Sequence, residues 1–128
     1  MKILLDTHTV LWMINGHEKL SPSARTLLLN DKNILFISVV SLWEMAIKVS
    51  LGKLSDLNGG VDVIISKLDD MPIEILPVTT NYIKIIETLP FIHRDPFDRM
   101  LVATAILNDM TILTADSNIP KYNTSCIW

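Results

Sequence analysis

Lys2-Ile3-Leu4-Leu5-Asp6-Thr7-His8-Thr9-Val10-Leu11-Trp12-Met13-Ile14-Asn15 holds two periodicities in one short stretch. Lys2 to Leu5 is a short apolar run, suited to a parallel strand buried on both faces. From Thr7 onward, Val10, Leu11, Met13 and Ile14 fall at helical spacing, and Gly16 is placed to close the helix. A buried strand that passes into a helix at a single acid, Asp6, is the unit of which parallel α/β sheets are made.

The alternation continues outward from there. Ser21-Pro22 starts a helix carrying Ala24, Leu27 and Leu28, and Asn30-Asp31 makes the turn after it. Ile34 to Ile37 reads as a second buried strand, leading through Ser38 and Ser41 into a helix that runs to Leu51, with Gly52 at its C′ position. Gly59-Gly60 precedes a short helix over Val61 to Leu68. Pro72 to Leu76 reads as a third strand, stopped by Pro77. Thr79 or Thr80 caps a helix with Ile83, Ile86 and Leu89 at helical spacing, which Pro90 ends. Asp95-Pro96 starts a helix to about Asn108, Thr111 to Leu113 is a fourth strand, and Ser125 to Ile127 adds a short edge strand. The expectation is a single α/β domain over residues 1–128, a mostly parallel central sheet between two layers of helices.

Composition narrows the function classes. With 49% hydrophobic and 20% charged residues, 4 Gly and 6 Pro, the 128-residue chain is a folding, core-burying sequence. Its longest mostly apolar run, Ile34 to Trp43, contains two serines and falls short of the roughly 20 residues of a bilayer span, so no membrane role is expected. Lys2 to Leu5 is cut off by Asp6 well before the roughly 7–15 apolar residues of a secretory segment. The single Cys126 forms no internal disulfide, and a reducing, cytoplasmic setting is the expectation. A net charge of −3 argues against holding nucleic acid by a broad basic face, while leaving room for a nuclease whose acids are neutralised by metal ions.

In doubly wound folds ligands bind beyond the carboxyl ends of the strands. Asp6 and Asp116 sit at two such ends, and Glu44 and Asp98 are read into the first turns of helices, so four acids can meet on one rim. Each has a local explanation. Asp6 is a natural N-cap. Ser41-Leu42-Trp43-Glu44 spells a capping box, with Lys48 at i+4 from Glu44. Asp98 suits a helix N-terminus, where the dipole favours an acid by a few tenths to about 1 kcal/mol, and Asp116 suits a turn. His8 and His93 lack zinc-site spacing and are assigned surface or supporting places, and His17 a solvated turn. No glycine-rich phosphate loop or nucleophile elbow is present. The tryptophans read as core or interface, with Trp12 the best candidate for an exposed contact.

What joins the four acids is their order. Ile3-Leu4-Leu5-Asp6-Thr7-His8, Ser38-Val39-Val40-Ser41-Leu42-Trp43-Glu44, His93-Arg94-Asp95-Pro96-Phe97-Asp98-Arg99 and Leu113-Thr114-Ala115-Asp116 together resemble the motifs of the PIN-domain family, specifically the VapC-type toxins of toxin–antitoxin pairs. The resemblance runs from residue 3 to the C-terminus, and Arg-Asp-Pro-Phe-Asp-Arg is its most specific piece. It implies a PIN-like three-layer α/β/α fold in which Asp6, Glu44, Asp98 and Asp116 form an acidic quartet binding Mg²⁺ or Mn²⁺. Thr114, Thr7 and Asp95 are candidates for support, Asp95 being equally explained as a cap. The implied activity is metal-dependent cleavage of RNA, held in check by a small antitoxin, in a chain that pairs as a homodimer.

Hydrolysis of a phosphodiester fits that residue set. Divalent ions lower the pKa of a bound water and clamp the attacking and leaving oxygens, and Mg²⁺ takes hard carboxylate oxygens. Without an ion, two carboxylates about 4 Å apart repel by about 4 kcal/mol at an effective dielectric of 20, so one or more should hold a proton. Arg94, Arg99 and Lys48 are candidates for the RNA phosphates, with surface ion pairing as the alternative. Trp12, Met13 and the Lys48 to Leu54 region are candidates for an antitoxin groove. Two other readings compete: a PIN-like scaffold that binds metal or a partner without turnover, and a haloacid-dehalogenase-like phosphatase. For the phosphatase, His8 stands where a second aspartate belongs and a loop lysine is missing.

Overall fold

Three short apolar runs, Lys2–Leu5, Ile34–Ser38 and Thr111–Leu113, become the middle of one sheet because they are buried on both sides, while Ile73–Leu76 forms a half-exposed edge. The computed structural model describes residues 1–16, 18–54 and 59–128. Strands β1 (Lys2–Leu5), β2 (Ile34–Ser38), β3 (Ile73–Leu76), β4 (Thr111–Leu113) and β5 (Cys126–Ile127) make a sheet of order β3-β2-β1-β4-β5. All four pairings are parallel, and β1 at the centre sets Leu5 beside Ile37 on one side and Leu113 on the other. The order turns in both directions from β1, which makes the β1–β4 boundary the switch point of a doubly wound sheet.

The pleat divides the core into two. Ile3, Leu5, Leu35, Ile37 and Leu113 face helices α1 (Thr7–Asn15), α2 (Pro22–Leu29), α3 (Val39–Ser50) and α4 (Gly60–Asp69), through Val10, Leu11, Ala24, Leu42, Met45, Ile64 and Leu68. The alternate residues Leu4, Phe36 and Ile112 face α6 (Pro96–Asn108) through Leu101, Val102 and Ala105, together with Ile119 and Tyr122 of a 3₁₀ turn (Ile119–Tyr122). Helix α5 (Thr80–Thr88) packs on α6, where Asn108 Nδ2 donates to Tyr82 Oη at 3.0 Å. Helices above and below a parallel sheet give the three-layer α/β/α architecture expected from the sequence.

Three local readings change. Helix α3 starts at Val39, capped by Ser38, whose hydroxyl accepts from Val40 N at 3.1 Å. Strand β2 therefore runs into its helix with no linking residue, the Ser41–Glu44 capping box does not form, and Glu44 sits in the second turn. Ser41 is buried instead, and its Oγ has no hydrogen-bond partner among the described residues. Thr79 occupies the N-cap of α5 without a side-chain cap bond. Trp12 is half-buried against Trp128, ring centroids 5.5 Å apart, whereas Trp43 is 61% exposed. His17, assigned to a polar turn, lies outside the described residues.

Ile37 is fully buried and Ile83 is 56% exposed. Ile37→Ala is expected to cost about 3 kcal/mol by lost transfer energy and a residual cavity, and Ile83→Ala less than about 0.5 kcal/mol; urea denaturation midpoints of the two variants measure both.

Candidate active site

Asp6 is the first residue after β1 and caps α1, its Oδ1 accepting from Thr9 N at 2.7 Å. Its other oxygen accepts from the Thr114 hydroxyl, just beyond β4. Asp6 N donates to Leu113 O at 3.3 Å and Thr9 Oγ1 to the same carbonyl at 2.9 Å, so the ends of β1 and β4 are tied together. Asp116 follows two residues after Thr114 and folds its own turn, Oδ1 accepting from Asn118 N at 2.6 Å and Ile119 N at 3.3 Å. Glu44, on the buried side of α3, accepts from Thr7 Oγ1 at 2.5 Å and pairs with Lys48 Nζ at 3.3 Å. Asp95 caps α6, accepting from Phe97 N and Asp98 N. Asp98, one turn in, takes His93 Nε2 at 3.1 Å on its Oδ2.

These residues share one small cavity of about 100 Å³, lined by Asp6, Thr7, His8, Glu44, Lys48, Asp95, Asp98 and Asp116. Five carboxylates against one lysine make it strongly acidic. Burial, opposed by the His93 hydrogen bond and reinforced by the Asp95 and Asp116 charges, pushes Asp98 up to about 6. Cys126 is not part of the set; burial and then the Asp6 charge push its thiol above its ordinary value, which disfavours a thiolate.

The donors are hard oxygens, the kind Mg²⁺ and Mn²⁺ take. Each acid of the quartet has an oxygen held by a protein donor, which spreads the carboxylates around the cavity wall. As they stand, no three His, Cys, Asp or Glu side chains among the described residues are grouped to hold an ion. Asp98 Oδ1 and Asp116 Oδ2 accept no hydrogen bond among those residues. The set fits a divalent ion in the chemistry of its donors and in their shared location.

The three basic candidates part company here. Lys48 lines the acidic cavity, and Arg94 is exposed beside it on the wall of an adjoining groove of about 490 Å³ that also carries Lys53. Arg99 is 7% exposed and points inward, donating to the carbonyls of Pro90, Ile86 and Leu89 and to Tyr122 Oη. It is withdrawn as a phosphate contact because those acceptors consume its donors inside the fold. Tyr122, which also meets His93, lies twenty-nine residues away in sequence, and no local pattern around it signals the contact. His8 is exposed beside Trp12, ring centroids 5.8 Å apart.

The sequence matches the PIN domain family model over residues 3–124. Among curated proteins none matches it at a significant level. Solved structures that share the fold include VapBC2 from Rickettsia felis bound to a DNA fragment from its promoter (TM-score 0.72, 20% identity, 99% of this chain and 98% of that one), FitAcB from Neisseria gonorrhoeae (0.70, 20%, 98% and 96%) and a toxin–antitoxin complex from Klebsiella pneumoniae (0.63, 15%, 98% and 96%). Among the described residues no helix is long and apolar enough to cross a membrane.

A carboxyl raised to about 6 in the fold, against an ordinary 3.8, binds its proton more tightly folded than unfolded. Between those values the native state holds the extra proton, so the metal-free protein loses stability from this group as pH rises. Asp98→Asn should therefore raise the melting temperature at pH 7.5 in chelator and have little effect at pH 4; thermal melts at the two pH values check it.

Proposed function

We propose, from the premise that the chain belongs to the PIN domain family, that it is a Mg²⁺- or Mn²⁺-dependent endoribonuclease and the toxin of a toxin–antitoxin pair. The observation that carries this reading is the shared cavity: acids from four separate places in the chain, Asp6, Glu44, Asp98 and Asp116, line one concavity beyond the carboxyl ends of β1 and β4. Capping explains Asp6 and turn formation explains Asp116, but neither explains Glu44 or the convergence of all four.

A divalent ion in that cavity supplies the charge that lowers the pKa of a water and stabilises the phosphate undergoing attack. The chain's own residues provide the frame. Thr9 N and Thr114 hold Asp6, Thr7 holds Glu44, and the Asn118 and Ile119 amides hold Asp116. Each carboxylate is thereby fixed at one side, which limits what must be ordered on binding. Asp98, which burial pushes up to about 6, would hold the ion as a carboxylate, and a bound cation would favour loss of its proton. Lys48, which pairs with Glu44, lines the adjoining groove together with Arg94 and Lys53, where the three would meet the phosphates of a bound strand. Three cations there suffice for local backbone contact in a chain of net charge −3.

The partner side of the proposal follows the same cavity wall. Trp12 lines a neighbouring hollow of about 290 Å³ with Asp6, His8, Lys19 and Asp116, and Met13, Leu20, Leu28 and Leu29 line an apolar one of about 260 Å³ further along α1 and α2. An antitoxin segment with apolar side chains and a terminal cation fits over both, and its presence would block the acids. The proposed assembly is a homodimer bound to that antitoxin. The competing reading is a PIN-like scaffold that binds metal or a partner without turnover.

Cleavage of RNA by the purified chain in Mg²⁺ or Mn²⁺, with a chelator control, separates the two. Several kcal/mol of stabilisation are at stake, and each 1.36 kcal/mol is tenfold, so Asp6→Asn and Asp98→Asn should lose about a hundredfold or more in rate. Asp95→Asn, an equally good cap, should keep most of the activity. Metal-independent cleavage, or equal rates in wild type and both site variants, overturns the metal-dependent nuclease reading.

A further inference from the structure

Arg99 is a buried cation without a carboxylate partner among the described residues. Its Nη1 donates to Pro90 O at 2.8 Å and to Tyr122 Oη at 3.2 Å, and its Nη2 to Ile86 O at 3.1 Å and Leu89 O at 3.5 Å. These carbonyls lie at or just beyond the end of α5, where helix carbonyls lack intrahelical donors. The guanidinium also lies over the Phe91 ring, 5.0 Å from its centroid. Arg99 is thus immobile, and since guanidinium only donates, Tyr122 Oη must accept from it.

Tyr122 Oη receives a second donor, His93 N at 3.3 Å. With both lone pairs engaged, the phenol's own proton has two places to go: His93 Nδ1 at 2.7 Å or His93 O at 3.4 Å. The shorter contact decides for Nδ1, which is then an acceptor. The imidazole proton sits on Nε2, which faces Asp98 Oδ2 at 3.1 Å. The donor direction therefore runs from Arg99 through Tyr122 and His93 to Asp98, tying Oδ2 and leaving Oδ1 unengaged.

We propose that His93 is a positioning residue for the divalent-ion site, locked by Tyr122 and Arg99 in the Nε2–H tautomer that pins one oxygen of Asp98 and leaves the other for the ion. This rests on the metal-site reading above, and it extends the site to the 3₁₀ turn near the C-terminus. Imidazoles and carboxylates that orient a metal ligand from behind typically change affinity 10–100-fold when removed.

Two measurements test it. In chelator, nitrogen NMR of the ¹⁵N-labelled imidazole should show His93 Nδ1 unprotonated and Nε2 protonated in wild type, and a mixture of tautomers in Tyr122→Phe. Binding of Mn²⁺, followed by paramagnetic resonance of the free ion, should weaken about tenfold in His93→Ala and stay within about threefold of wild type in His93→Gln, whose amide N–H reaches the Nε2 position. Melting temperatures in chelator, taken for every variant, identify any that is not folded. Equal weakening in His93→Ala and His93→Gln, or affinity unchanged in both, overturns the positioning role while leaving the metal site standing. An Nδ1–H tautomer in wild type overturns it whatever the ion does. Absence of Mn²⁺ uptake by folded wild type removes the metal-site reading, and this inference with it.

Discussion

The Asp6 carboxylate joins three elements at once, and the site depends on it. It is 5% exposed, and a buried carboxylate left without donors would neutralise or destabilise the fold. It is held because β1 ends where α1 begins and because β4 pairs parallel with β1, bringing Thr114 within reach. The cap, the switch point of the sheet and one wall of the acidic cavity are therefore the same few atoms. Moving the register of β4 by one residue would carry Thr114 to the opposite face and leave Asp6 short of a donor.

Holding the other acids close has a similar logic. Each is already explained by a donor that the backbone or a neighbour provides: Thr7 and Lys48 for Glu44, the turn amides for Asp116, His93 for Asp98. These bonds compensate the burial of several like charges in one hollow, and the compensation is incomplete at Asp98, where burial and two nearby carboxylates outweigh the histidine and push the carboxyl up to about 6. Groups with perturbed titration concentrate at sites that bind or react. Asp98 carries that signature because it is buried, with the Asp95 and Asp116 charges adding to the effect, rather than because it caps a helix.

Much of the fold was legible because its signals are local. Lys2–Leu5 and Ile34–Ile37 are apolar runs of strand length, Ser21-Pro22 and Asp95-Pro96 are helix starts, and Gly52 takes the left-handed conformation after α3. What failed were readings in which one local rule competed with another. Ser41 spells a capping box, yet Ser38 takes the cap because the strand passes straight into the helix. The four acids were legible as residues, Asp6 and Asp116 through their positions after strands and Glu44 and Asp98 through their helices and the order of the motifs, and the structure brings all four to one cavity. Arg99 was not: a cation beside two acids looks like a surface group, and only the long-range approach of Pro90, Ile86 and Tyr122 turns it inward. Tyr122 was silent for the same reason.

That distinction between local and long-range determinants bears on how the motif His93 to Arg99 should be understood. Its residues alternate in role along one helix start. Asp95 satisfies amides that any helix leaves open, and Asn would serve there equally. Asp98, three residues on, points into the acidic cavity, and Arg99, the next residue, points the other way into the core. A helix turns about 100° per residue, so neighbours on it face different surroundings; this one places a cavity-lining acid and a buried anchor side by side. The anchor fixes the segment after α5, that segment supplies His93, and His93 returns to Asp98. The stretch closes a loop on itself through Tyr122, so its rigidity is set by a residue that the motif does not contain.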